Sequence, residues 1–327
     1  MLKTFLTIFE PFVLMLLGTV LLASVLPPRG PFVPLFDVAT ITGIVLLFFL
    51  HGARLSRQAI WDGFRNWKLH LSVLAVTFIL FPLLGLGLSH LPFVAAPVAA
   101  GLLFLTLLPS TVQSSIAFTA IARGNVAAAV CSASFSNLLG ILLTPALVAL
   151  LMHMGGANGG GLASVEKIVM QLLVPFVAGH LLRPLIGGFV ARRRKMLTIV
   201  DRGSILLVVY TAFGAAVVEG LWHRVSGYDL TMILVLCSAL LAIVLAATWA
   251  LGRALHWPRG DAIVLLFCGS KKSLASGVPM AGVLFAPTQV GVVLLPLMLF
   301  HQIQLIACAV IARRYAEHDP TPARNPS

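Results

Sequence analysis

Apolar runs of about twenty residues recur ten times along this chain, and no other feature restricts its fold as strongly. They cover Phe5 to Leu26, Phe36 to Leu50, Leu69 to Leu88, Val94 to Ile121, Val126 to Met152, Val165 to Phe189, Ser204 to Glu219, Leu230 to Arg253, Asp261 to Phe285 and Gln289 to Ala312. Such runs exceed the roughly ten residues of a barrel strand, and backbone in hydrocarbon must satisfy its own hydrogen bonds, so helices are the choice. Composition agrees: 59% of the 327 residues are hydrophobic and 10% charged, against about a quarter charged in soluble domains. The expectation is an all-α polytopic membrane protein with ten transmembrane helices. Turns are expected at PPRGPFVP, MGGANGGGLAS, ARRRK, LWHRVSGYD and HWPRGD.

The net charge of +12 comes from short basic clusters between the apolar runs, where it reads as a topology signal rather than a nucleic-acid surface. Counting runs from a cytoplasmic N-terminus puts seventeen basic residues in inside loops and ends, and three outside, Arg29, Lys167 and Arg224. The inside set runs from Lys3, through Arg57, Arg65 and the Arg192 to Lys195 cluster, to Arg324. Both termini are therefore expected in the cytoplasm. The first run passes Leu22 without an A-x-A site, so no cleaved signal is expected. Cys131, Cys237, Cys268 and Cys308 stand apart within apolar runs and read as buried fillers.

Ten runs divide into five and five, and an odd number per half inverts the second half in the membrane, the inverted-repeat plan of secondary transporters. Residues 1–155 and 162–314 would be the two repeats, with 315–327 a short cytoplasmic tail. Matching interruptions support the division. The fourth run breaks at LLPSTVQSSIA, and the ninth, fourth in its own half, at FCGSKKSLASG.

At the first break Pro109 removes an N–H and frees a carbonyl near Leu105, and Ser110, Thr111, Gln113, Ser114 and Ser115 follow. The second carries Gly269, Ser270, Lys271, Lys272 and Ser273, then Gly277 and Pro279. Unwound backbone at membrane depth persists only in protein or along a cavity, and each break pairs free carbonyls with a positive helix N-terminus, which suits small ions and anionic groups. The lysines are the sharper signal, since each costs about 2.5 to 3.5 kcal/mol at a helix centre. One reading has Asp261 start the helix deep, with both lysines snorkelling from a short hairpin. The other makes them a positive crossing point facing a water-filled cavity. No acid falls near the centre of a run, Glu219 standing at the end of one, which favours lysines that meet backbone carbonyls or a substrate anion, or that give up a proton.

Ser132, Ser134, Ser136 and Asn137 in CSASFSNLLG could face the first break, although alternating serines equally suit close helix packing. Asn137 is assigned to the site. His301, Gln302 and Gln304 put three polar side chains within four positions of the tenth run; His51 and His180 read as packing residues.

The strings PSTVQSSIAFTAIARGNVAAAVCSASFSNLLGILLTPAL, GSKKSLASGVPMAGVLF and LPLMLFHQIQ resemble the bile acid:sodium symporter superfamily. The similarity is strongest to its branch of YfeH-like symporters, which includes the vertebrate solute carrier family 10 member 7. The resemblance implies ten helices in two inverted repeats, a panel and a core domain, and broken helices four and nine crossing in the core near ion and substrate sites. By position, the Ser–Asn pair of the bile-acid branch falls on Ser114 and Ser115. Its polar fifth helix falls on Ala133, Ser134 and Asn137. Its glutamate and glutamine, four apart in the ninth helix, fall on Phe267 and Lys271. Phenylalanine thus stands where a sodium-binding carboxylate is expected, and an ammonium stands in place of the glutamine.

The expected function is a secondary active transporter working by alternating access on a small organic anion, with Lys271 replacing the sodium-site chemistry. Sodium or a proton remains open as coupling ion, no other cofactor is expected, and the partners are the substrate anion and membrane lipid. A sodium-coupled bile-acid-like symporter and a non-transporting membrane regulator of ion homeostasis are the alternatives. An intramembrane enzyme is disfavoured, since H-E-x-x-H, paired aspartates within runs and a Ser–His arrangement are all missing.

Overall fold

The computed structural model describes residues 11–54, 66–152 and 169–317. The expected repeat boundary at 155–162, the whole of the MGGANGGGLAS turn, residues 318–327, the starts of the first and sixth runs, and Lys3, Arg57, Arg65, Lys167 and Arg324 lie outside them. The described residues form helices and turns with no strand. In chain order they are α1 (Pro11–Val25), α2 (Phe32–Arg54), α3 (Trp67–Ala75) and α4 (Phe81–Ser89), then α5 (Ala96–Leu107), α6 (Gln113–Ile121) and α7 (Val126–Leu151). The second part comprises α8 (Val174–Arg192), α9 (Arg194–Val218), the one-turn α10 (Leu221–Arg224), α11 (Gly227–Ala254), α12 (Arg259–Gly269), α13 (Leu274–Leu284) and α14 (Pro287–Glu317). A π-helical turn, Val76–Leu80, joins α3 to α4, and a second, Val169–Leu173, leads into α8.

Among the described residues, seven helical segments of 22 to 31 residues are long and apolar enough to cross a membrane. The pairs α5/α6 and α12/α13 are different. Each member has 9 to 12 residues, too few to span about 30 Å at 1.5 Å per residue. The chain is an integral membrane protein in which two segments are interrupted at Leu108–Val112 and at Ser270–Ser273.

Helix ends depart from the apolar runs in an instructive way. The seventh run begins at Ser204 by hydropathy, yet α9 begins at Arg194, and ARRRK is one non-helical residue, Arg193, between two helices. Arginine and lysine are good helix formers whose stems lie along apolar surface while their heads reach water, so the helix continues after the apolar run stops. LWHRVSGYD likewise holds α10, after Gly220 at φ 85°, and then a capping box. The Ser226 hydroxyl accepts from the Asp229 amide at 3.2 Å, and the Asp229 carboxylate accepts from the Ser226 amide at 2.8 Å.

Two groups of helices pack together. Helix α2 lies against α8 and α9, and α1 against α9; the remaining long segments surround the two interruptions, with α14 touching α5, α6, α11 and α13. Helix α9 joins the groups through α13 and α14. At the α2–α8 contact two glycines face opposing backbone: a Cβ on Gly52 would collide with the Phe176 carbonyl, and one on Gly179 with that of Phe49. Small residues permit such close approach where lipid supplies no hydrophobic drive. Nearby, Arg54 pairs with Asp201 of α9.

Gly179→Ala is therefore expected to lower the Tm in detergent by about 5 °C, since overpacking costs roughly 1 to 3 kcal/mol. Gly188→Ala on the same helix, which meets nothing within 4 Å, should leave it unchanged or raise it.

Candidate functional site

Breaking a helix leaves carbonyls without their usual N–H, and in hydrocarbon each needs another donor. At the first break Pro109 supplies no N–H, and Leu108 and Ala95 bound α5 in extended conformation. The Leu107 carbonyl accepts from the Thr144 hydroxyl at 2.7 Å. Pro109 accepts from the Ser273 amide at 2.9 Å, which ties one break directly to the other. Ser110 accepts from Asn137 Nδ2 at 2.6 Å, while its own amide donates to Ser136 Oγ at 2.9 Å. The Thr106 and Leu108 carbonyls accept from Lys272 Nζ at 2.8 and 2.7 Å.

The second break is satisfied by neutral donors. The Leu266, Phe267 and Cys268 carbonyls at the end of α12 accept from the hydroxyls of Ser270 (2.5 Å), Ser115 (3.1 Å) and Ser110 (2.5 Å). The Ser273 hydroxyl caps α13 by accepting from the Ser276 amide at 3.1 Å, and Ser276 donates to Asn137 Oδ1 at 2.8 Å. Gln304 of α14 serves the backbone of Lys272 from both sides, accepting its N–H at 2.9 Å and donating to its carbonyl at 3.0 Å. His301 Nδ1 lies 2.9 Å from Gln304 Nε2. The backbones approach so closely that a Cβ on Gly140 of α7 would sit 2.7 Å from the Pro109 ring.

The two lysines differ sharply. Both are 0% exposed. Lys272 Nζ donates to three carbonyls, those of Thr106, Leu108 and Thr77 (2.8 Å), and lies 4.1 Å from the centroid of the Phe81 ring, so every ammonium donor is used. The Thr77 carbonyl is available because it falls in the π-helical turn just before Pro82, where the regular ladder lapses. Lys271 Nζ instead has one long hydrogen bond, 3.4 Å to Ser114 Oγ, and sits 4.3 Å and 5.6 Å from the ring centroids of Phe118 and Phe267. Carbonyls surround the Lys272 ammonium, and a hydroxyl and two aromatic faces surround that of Lys271. Neither lysine reaches the protein surface, which snorkelling from a short hairpin would require.

Of the residues expected at the site, Ser110, Thr111, Ser114, Ser115, Asn137, Ser270, Lys271, Lys272, Ser273 and His301 converge here. Thr111 Oγ1 links Ser114 and Ser115 at 2.9 and 3.0 Å. Gln113 is exposed on the first turn of α6, and Ser134 and Gln302 are half-buried; none of the three hydrogen-bonds within the crossing. Ser136, Gln304, Thr144, Ser276 and the Thr77 carbonyl complete the site. Pro82, a proline inside an apolar run, was the available sign of the last.

A buried junction of two interrupted helices, carrying two ammonium groups and a ring of hydroxyls and amides, marks a membrane transporter. The chain belongs to the SBF-like CPA transporter family, whose model matches residues 10–317. It is 57% identical over 309 residues to protein PA2026 of Pseudomonas aeruginosa, covering 94% of this chain and 93% of that one. It is 54% identical over 310 residues to YfeH of Escherichia coli, whose name carries the word symporter, with the same coverage. Rat sodium/bile acid cotransporter 7 is 26% identical over 289 residues, covering 86% of this chain and 84% of the rat protein.

Asn137→Ala strips a donor from the Ser110 carbonyl and an acceptor from Ser276, and should cost about 1 to 3 kcal/mol, seen as a lower Tm. Ser134→Ala, three residues away, should change little.

Proposed function

We propose that this chain is a secondary active transporter for a small organic anion, in which Lys271 replaces the sodium-site chemistry of the bile-acid branch. The carrying observation is that Lys271 holds a buried charge whose donors are largely unspent: one 3.4 Å contact to Ser114 serves three N–H groups. A carboxylate or similar anion beside Ser114 would accept the remaining two. The Phe118 and Phe267 faces hold the ammonium from the other side, suiting a charge that is paired only when substrate arrives. Because Lys271 is enclosed, substrate reaches it through a movement of one helix group against the other. That is alternating access, with ten crossings in two inverted repeats, residues 1–155 and 162–314, and both termini cytoplasmic in a bacterial inner membrane.

An ammonium also repels sodium. At about 4 Å and an effective dielectric near 20 the repulsion is about 4 kcal/mol, roughly a thousandfold in affinity. Phe267, where the resemblance expects a carboxylate, supplies no charge to offset it. Sodium coupling is the second reading, favoured by the name of the rat relative.

Uptake of small carboxylates into vesicles is expected to persist when sodium is replaced by choline, and uptake lost on that exchange contradicts the reading. Lys271→Met should abolish carboxylate-induced thermal shifts, with Tm held or raised because no carbonyl loses a donor; an unaltered ligand shift would remove Lys271 from the site.

A further inference from the structure

The carbonyls at the end of α12 show that orphan acceptors in this crossing need no charge: three serine hydroxyls satisfy them. At the end of α5 the same need is met by an ammonium, with two consequences that a hydroxyl does not have. One atom, Lys272 Nζ, joins two separate segments, reaching the π-helical turn at Thr77 as well as Thr106 and Leu108. It also places a full positive charge against the negative end of the α5 dipole, where three oxygens already converge. Three backbone carbonyls at 2.7 to 2.8 Å from one point, backed by the Phe81 ring at 4.1 Å, form the oxygen cage that strips and holds a monovalent cation.

We propose that the Thr77, Thr106 and Leu108 carbonyls form a monovalent-cation site that this protein fills with its own Lys272 side chain, and that accepts a free ammonium-sized ion once that side chain is cut back. Lys272 is then a tethered cation that holds the crossing together. This is separate from the role given to Lys271, and its test reads stability rather than transport.

The test compares wild type, Lys272→Ala and Lys272→Met in detergent, measuring Tm in choline, sodium, potassium and ammonium chlorides at equal ionic strength. Wild type, its site already filled, should melt at the same temperature in all four. K272A should melt well below wild type in choline and regain half or more of the loss, saturably, in ammonium or potassium. K272M should melt low in every salt, because its side chain occupies the space without donating. A K272A chain recovered only when extracted in ammonium or potassium counts as rescue. The proposal is overturned if K272A matches wild type in choline, if its loss relative to wild type is equal in all four salts, or if it is unrecoverable in all four.

Discussion

Backbone carbonyls freed inside a membrane need donors, and the centre of this protein is arranged around that need. Pro109, Pro82 with its π-helical turn, and the Ser270–Ser273 interruption release acceptors in three places. The donors come from wherever packing brings them: Thr144 and Asn137 on α7, Ser110 and Ser115 after the first break, Gln304 on α14, and Lys272. Each bond joins segments far apart in sequence, so satisfying the carbonyls also fixes how the two interrupted helices cross. The backbone bond from Ser273 to Pro109 is the most direct expression of this.

Adjacent lysines in one short string acquire opposite characters from this geometry. Lys272 has spent its donors on main-chain oxygens and its backbone on Gln304, so it belongs to the scaffold. Lys271 faces Ser114 and two aromatic rings, and under the proposed reading it is the charge that substrate completes. On that reading, two residues of one type, side by side, divide into a structural cation and a working one.

Much of this was legible from the chain alone. Ten apolar runs, their two polar interruptions and the lysine pair point to a helical membrane protein with a charged crossing; the long apolar helices and the match to a transporter family agree with a helical membrane protein. Periodicity could not place helix ends, because residues 194–202 are already helical ahead of the apolar stretch that begins at Ser204. Nor could spacing tell which polar residues face the break: Ser136 joins it and Ser134, two positions earlier, does not, a difference set by the rotation of α7 against Pro109. The split between the lysines was also hidden, since it depends on Thr77, nearly two hundred residues upstream. Only the fold brings that carbonyl to the crossing.

The most direct test is the exchange behaviour of the lysine ammonium protons. The chain has six lysines, so protein labelled with ¹⁵N-lysine gives a small set of side-chain signals. A Lys272 ammonium bound by three carbonyls away from water predicts one Nζ signal whose protons persist after transfer to deuterated buffer, and which disappears in the Lys272→Met protein. If every lysine ammonium exchanges as fast as those on the surface, the crossing is open to water and the carbonyl-held cation does not exist.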